Sequence, residues 1–199
     1  MTGAADATTT VTVAVVVPGE GGEPTADLVP AGERDRIARL RRADDQWSAR
    51  AAWAVAAGIV AGRLGVEPAT LVVDRTCGRC GSDEHGKPQF RGSGLHLSLS
   101  HTRGCAVVAV SPGFPVGVDV EPTAADRWPP GEDARTWTVR EAVLKCRGVG
   151  LGAPWEPALA DGLQVLALAV PAAYVATLAV QTDGPVDVVY RRVLTADAP

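Results

Sequence analysis

Apolar positions fall into short β-branched runs separated by polar, glycine-rich stretches, with one long helical pattern between them. Val11–Val17 is β-branched and reads as a buried strand, and it is too short to span a bilayer. Gly19–Gly32 is rich in Gly, Pro and Glu and reads as a loop. From Glu33 to Gly65 the pattern is helical, with a break near Ala43–Asp45. The second helical segment carries Trp47, Ala51, Ala54, Val55 and Ile59 on one stripe, and Asp44 or Asp45 is placed to cap it. Leu71–Asp74 is a short strand candidate, and Thr76–Gly94 is turn-rich. Leu95–Leu99 and Cys105–Val110 read as strands flanking Ser100-His101-Thr102-Arg103-Gly104. Val116–Glu121 is a strand, Pro122–Arg135 a polar loop and Thr138–Arg147 a helix. Leu163–Val170, Ala173–Val180 and Val186–Val193 predict a closing three-strand meander. The expected fold class is α+β, built as an N-terminal half, 1–115, and a C-terminal half, 116–199, with a cleft between them. Cys105–Val110 and Val175–Val180 are faintly alike, which by itself does not establish a repeat.

Composition narrows the function classes. The 199 residues are 46% hydrophobic and 21% charged, enough apolar surface for a core without disulfides. The net charge of −4 excludes a general polyanion binder, so no nucleic acid is expected as partner. Charge is nevertheless uneven: Arg34, Arg36, Arg39, Arg41, Arg42 and Arg50 face only Asp35, Asp44 and Asp45, a local cationic surface or a solvated helix face. Residues 1–10 have no basic segment leading into an apolar one, and Pro171 interrupts Leu163–Val180. A cytoplasmic protein without membrane partners, its four cysteines reduced, is the expectation.

Four segments carry candidate chemistry. In Gly117-Val118-Asp119-Val120-Glu121, strand alternation puts Val118 and Val120 on a core face and Asp119 and Glu121 together on the other. Two adjacent carboxylates suit a hard divalent cation, although a lone D-x-E also fits a solvated strand face. In Trp137–Lys145, Trp137, Glu141 and Lys145 share a helix face, which suits either a surface ion pair or a third carboxylate beside a phosphate-binding lysine. In Leu97–His101, a strand that ends in Ser100-His101 sets a hydroxyl and an imidazole at its rim, where phosphate binding is easier to build than a Ser–His nucleophile. Gly86-Lys87-Pro88 is a tight turn that leaves Lys87 projecting.

Taken together and in this order, the four segments resemble the motif set of the Sfp-type 4′-phosphopantetheinyl transferases, and the arginine-rich segment ending in Arg50 is similar to that family's entry segment. The resemblance spans Glu33 to Leu151 and extends loosely into the C-terminal strands. It implies two similar α+β halves related by a pseudo-twofold axis, a monomer, with coenzyme A in the cleft between the halves. It implies that Asp119, Glu121 and Glu141 ligate magnesium, or manganese in its place. It further implies that Lys87, Pro88, Ser100 and His101 hold coenzyme A, that Arg36 and Arg50 add basic contacts, and that Lys145 touches the pyrophosphate. The implied reaction moves the phosphopantetheine arm of coenzyme A to a serine of an acyl or peptidyl carrier protein, of fatty-acid, polyketide or nonribosomal-peptide type, and releases 3′,5′-ADP. Glu141 and Lys145 are the implied catalytic pair.

Three features depart from that pattern. Arg140 stands where the family commonly has Lys, Cys146 where a small residue is frequent, and the connection from Glu121 to Trp137 is short. The alternatives are a coenzyme A or nucleotide binding protein without transfer, a metal-dependent phosphoesterase using the same carboxylates, and a zinc-stabilised interaction module. Cys77-x-x-Cys80 with His85 is part of a zinc pattern, but no second Cys-x-x-Cys completes it, and His96 or Cys105 would join only through folding. Reduced thiols in a tight turn are the expectation there.

Overall fold

The computed structural model describes residues 8–19, 26–78, 80–83, 85–124, 128, 131–149 and 156–191. The first apolar run forms β1, Thr9–Val16, whose alternate side chains enter two different cores. After a short 3-10 turn come α1, Ala31–Ala38, and α2, Ala43–Leu64. The break between them matches the expected one, but the cap does not: Arg42 occupies the N-cap with no side-chain bond. Asp44 and Asp45 lie inside the first turn, where their charge faces the positive helix end without bonding it. The stripe on α2 is buried as its spacing predicts, Ala51, Ala54 and Ile59 packing with Trp47 and Val55 into the first core.

Two two-residue strands, β2 (Val73–Asp74) and β3 (Gln89–Phe90), bracket the turn-rich segment and pair with each other. Next come β4, Leu95–Thr102, and β5, Cys105–Pro112, joined by the tight Arg103-Gly104 turn. The strand therefore runs through Ser100 and His101 rather than ending before them, because both continue the ladder to Val107 and Ala106. The chain then forms β6, Val116–Pro122, and α3, Ala134–Arg147. The helix starts one turn earlier than its apolar pattern shows, because Asp133 caps it by accepting from the Thr136 amide at 2.7 Å. It is followed by β7, Gln164–Ala167, β8, Tyr174–Val180, and β9, Val186–Tyr190.

One sheet has the order β4-β5-β1-β9, the other β6-β8-β7. The expected meander is thus only a hairpin. Strand β9 leaves β8 and lies parallel along β1, where Val186 and Val188 gain cover at the edge of the second core. Within the rest a pattern recurs: β1, α2, β4, β5 and β6, α3, β7, β8 each run strand, helix, strand, strand. In both sets the last strand sits in the middle, antiparallel to the other two. The faintly similar Cys105–Val110 and Val175–Val180 lie in these two central strands.

The cores order the layers. Ala14, Val16, Ala106, Val108 and Val110 pack under α1 and α2. Val11, Val13, Val107 and Ala109 on the opposite face meet Val116, Val118, Val120 and Leu178 of the second sheet. Ala142, Val143 and Cys146 of α3 cover that sheet's far side through Ala179. The order is helix, sheet, sheet, helix, a mixed α+β architecture in which no described helix is long and apolar enough to cross a membrane.

The close seating of α3 depends on Gly117. A Cβ there would overlap the Ala142 carbonyl oxygen and the Cys146 backbone nitrogen, which belong to rigid helix backbone. Gly117→Ala is therefore expected to cost about 1–3 kcal/mol by forcing helix and strand apart. Gly62→Ala, at an exposed helical position with nothing within 4 Å, should be neutral or stabilising by up to about 1 kcal/mol. Urea midpoints of the two variants measure the contrast, and similar midpoints would remove the steric role assigned to Gly117.

Candidate functional site

Strand β6 divides its side chains as alternation requires. Val116, Val118 and Val120 enter the core between the sheets, and Gly117, Asp119 and Glu121 face the other way, toward α3. Strands β4 and β6 are the neighbouring edges of the two sheets and are joined by side chains instead of a backbone ladder. Ser98 Oγ accepts from the Val118 amide at 3.0 Å, and Ser100 Oγ donates to Asp119 Oδ1 at 2.8 Å. Asp119, 3% exposed, thus sits in the seam where the two sheets and α3 meet.

Helix α3 adds two groups. Lys145 Nζ lies 2.6 Å from Asp119 Oδ1 and 3.2 Å from Ser100 Oγ, so lysine, serine and aspartate form a closed triangle. Glu141, one turn earlier and 4% exposed, is in the same field. Its pKa is raised to about 7, first by desolvation and then by the nearby charges of Asp119 and Glu121, against the opposing pull of Lys145 and Arg140. A third polar link seats the helix: Thr138 Oγ1 and Thr177 Oγ1 are 2.9 Å apart, and Thr177 is the ladder partner of Asp119.

Beside this cluster is a pocket of about 490 Å³, lined by His101, Glu121, Trp128, Trp137, Asp45 and Leu40 among others. His101 has its pKa lowered, chiefly because the surrounding protein displaces its hydration and secondarily by Lys145, with Asp45 opposing. Trp128 and Trp137 pack at a tilt of 36° with ring centroids 5.7 Å apart, and the Arg140 guanidinium lies 5.5 Å over Trp137 while bonding Glu132 at 3.4 Å. Arg140 thus braces the aromatic wall through its planar group, which a lysine could not reproduce.

The fold therefore brings Ser100, Asp119, Glu141 and Lys145 together and sets His101 and Glu121 in the adjoining pocket. It puts Lys87 and Pro88 elsewhere. Lys87 lines a larger cavity of about 850 Å³. Its ammonium donates to the carbonyls of Val116 at 2.7 Å and Cys146 at 3.4 Å. Burial lowers the Lys87 pKa to about 8. Val116 and Glu121 are five strand positions apart, about 17 Å, so Lys87 lies toward the opposite end of β6 from the smaller pocket. Arg36 donates to the Asp83 carbonyl at 3.2 Å, and Arg50 is a half-buried residue of α2.

Several contributors were not singled out from the sequence. Ser98 is one residue of an alternating strand, and nothing local marks it as the partner of Val118. Trp128, a lone aromatic in a polar Pro-containing segment, was the available signal for the pocket wall. Leu40 and Asp45 reach it only through the fold.

Asp119 Oδ2 is buried without a hydrogen-bond partner, while Oδ1 holds both Ser100 and Lys145. A free buried carboxylate oxygen with Glu121 and Glu141 nearby is a hard oxygen donor set of the kind that fits magnesium or manganese. The three carboxylates are not drawn into one knot. Among the described residues, only Cys77, Cys80 and His85 have ligand atoms all within 4.8 Å of one another. Mutual repulsion accounts for the spread, with Lys145 supplying the nearest positive charge.

No protein-family model matches the chain, and no curated protein is similar enough to count as a relative.

The elevated Glu141 pKa sets a pH dependence. The folded state keeps a proton that the unfolded chain releases near 4.5, so this contribution to stability is complete below pH 4.5 and is lost as pH rises through about 7. Glu141→Gln should remove that slope, leaving the variant on the order of 1–3 kcal/mol more stable than the parent at pH 8 without divalent ions. Urea unfolding from pH 5 to 8 reads the difference, and parallel curves for the two proteins would contradict the assigned environment.

Proposed function

We propose that this protein is a magnesium-dependent transferase that moves 4′-phosphopantetheine from coenzyme A to a serine of a carrier protein. The observation that carries the reading is the buried Asp119, with one oxygen held by Ser100 and Lys145 and the other without a partner, beside Glu141. The ordered segments that resemble the Sfp-type transferases converge on it, apart from Gly86-Lys87-Pro88. The recurring strand–helix–strand–strand topology is what two halves related by a pseudo-twofold axis would have, and the protein would act as a monomer.

Asp119, Glu121 and Glu141 would hold the magnesium, which supplies a positive charge for the pyrophosphate oxygens. The chain's own groups account for the remaining tasks. His101 lies in the smaller pocket and can donate to a phosphate, and Ser100 is positioned to turn its hydroxyl from Asp119 to one. The carrier serine oxygen attacks the β-phosphorus, the bond from that phosphorus to the bridging oxygen breaks, and 3′,5′-ADP departs. Glu141 takes the serine proton, directly or through a water, and a pKa near 7 suits a general base at neutral pH. Lys145 offsets charge on the departing phosphate. Arg36 and Arg50 add positive charge on the helical face, while Lys87 contributes by fixing the start of β6 beside the larger cavity.

A metal-dependent phosphoesterase is the second reading, favoured by the same orphaned oxygen. It differs in needing no carrier.

Intact-mass spectrometry of apo carriers incubated with the protein, coenzyme A and magnesium should show a gain of one phosphopantetheine. Asp119→Ala should abolish the gain. Glu141→Gln should lower turnover by about 10²–10⁴-fold while retaining more of the coenzyme A binding than of the turnover. Absence of any gain across acyl and peptidyl carriers, despite coenzyme A binding, would overturn the reading, and release of phosphate or ADP without a carrier would favour the phosphoesterase.

A further inference from the structure

The segment from Thr76 to Gly86 has almost no apolar anchoring. Thr76, Gly78, Cys80, Gly81, Asp83 and His85 are exposed, and of its described residues only Gly86 is buried. The flanks, by contrast, are firmly held. Arg75 makes a two-pronged ion pair with the buried Glu33 at 2.7 and 2.8 Å and lies 5.5 Å over Trp53. Beyond Gly86, Lys87 is tied to Val116. A polar excursion of this kind gains little from burial to offset the entropy of ordering it.

Its internal geometry gathers three metal-binding side chains. The Gly81 amide donates to the Cys77 carbonyl at 2.8 Å, and the Cys77 amide donates to the Ser82 carbonyl at 2.7 Å. Gly81 has φ +76°, a left-handed conformation that reverses the chain directly after Cys80. The turn so made brings the ligand atoms of Cys77, Cys80 and His85 within 4.8 Å of one another. Cys80 Sγ and His85 Nε2 are 3.3 Å apart. Zinc–sulfur and zinc–nitrogen bonds of about 2.3 and 2.0 Å at a tetrahedral angle would set those atoms roughly 3.5 Å apart. Neither cysteine is in a disulfide. His96, the other histidine lining the same cavity, is not among the clustered ligands. Cys105 is buried in the core between the sheets, its thiol pKa pushed up to about 12 by burial.

We infer that Cys77, Cys80 and His85 bind one zinc ion through two thiolates and the His85 Nε2, with the fourth position open to the 850 Å³ cavity they line. Two thiolates and an imidazole select a borderline-soft ion such as zinc over magnesium, so this centre is chemically distinct from the carboxylates around Asp119. It does not depend on the transfer reaction. The zinc fastens the excursion that leads into Lys87, and so fixes the lysine that ties the start of β6 to the end of α3.

The test is elemental analysis of the full chain, produced without a histidine tag and purified under reducing conditions. One zinc per chain is expected. Replacing it with cobalt should give the visible absorption of a tetrahedral site with thiolate charge-transfer bands. Cys80→Ser should lose the metal. Because that variant could also lose its fold, His85→Cys provides a second reading: it should retain one zinc and shift the cobalt spectrum toward three thiolates. Asp119→Ala should keep the zinc. Absence of zinc from the reduced protein together with no cobalt spectrum on reconstitution would overturn the inference, as would full zinc retention in a folded Cys77→Ser/Cys80→Ser double variant.

Discussion

The carboxylate of Asp119 is buried where the edges of two sheets and the face of a helix come together, and a charge in that place must be compensated from all three sides. Strand β4 supplies the Ser100 hydroxyl and α3 supplies the Lys145 ammonium. The Ser98 hydroxyl, one alternate position away, closes the seam by serving the Val118 amide. The lysine could not arrive without the glycine at 117, which lets the helix backbone lie directly on β6. The order of dependence is then clear. A missing Cβ permits close packing, close packing delivers Glu141 and Lys145 to Asp119, one Asp119 oxygen is left unpartnered, and burial, reinforced by the neighbouring carboxylates, makes one glutamate hard to ionise.

That excess separates the cluster from an ordinary buried ion pair. A lysine and an aspartate alone would neutralise each other. With Glu141 and Glu121 added, the balance is negative, and the protein either holds a proton near Glu141 or accepts a cation. The adjoining pocket has the imidazole of His101 and an aromatic wall of Trp128 and Trp137, so an anionic ligand meeting such a cation would have both polar and apolar surfaces to rest on. The larger cavity, bordered by Lys87 and the cysteine turn, is chemically different and serves the opposite end of the same strand.

Local pattern revealed the parts of the site that lie within one element. Alternation in Gly117–Glu121 placed both carboxylates on the face away from the core, and the four-residue spacing of Trp137, Glu141 and Lys145 placed them along one side of α3. The two segments meeting each other is a long-range event that neither period contains. The same limit explains the errors. The valines of β9 show that it is a strand but not which sheet it joins. The last residues of β4 looked like a loop because Ser, His and Thr are polar, whereas they continue the ladder with β5 and the Ser100 hydroxyl serves the seam instead of solvent. Lys87 reads as a projecting cation from its turn, yet its tip is satisfied by carbonyls at the start of β6 and the end of α3, residues 29 and 59 positions away.

The central claim is that the unpartnered oxygen of Asp119 and its neighbouring glutamates form a divalent-cation site completed by a pyrophosphate. Electron paramagnetic resonance of manganese titrated into the protein tests it most directly, with and without coenzyme A, in the parent and in Asp119→Ala. The account predicts about one bound manganese per chain, tightened by coenzyme A and lost in the variant. Manganese binding that is indifferent to coenzyme A and survives loss of Asp119 would contradict it.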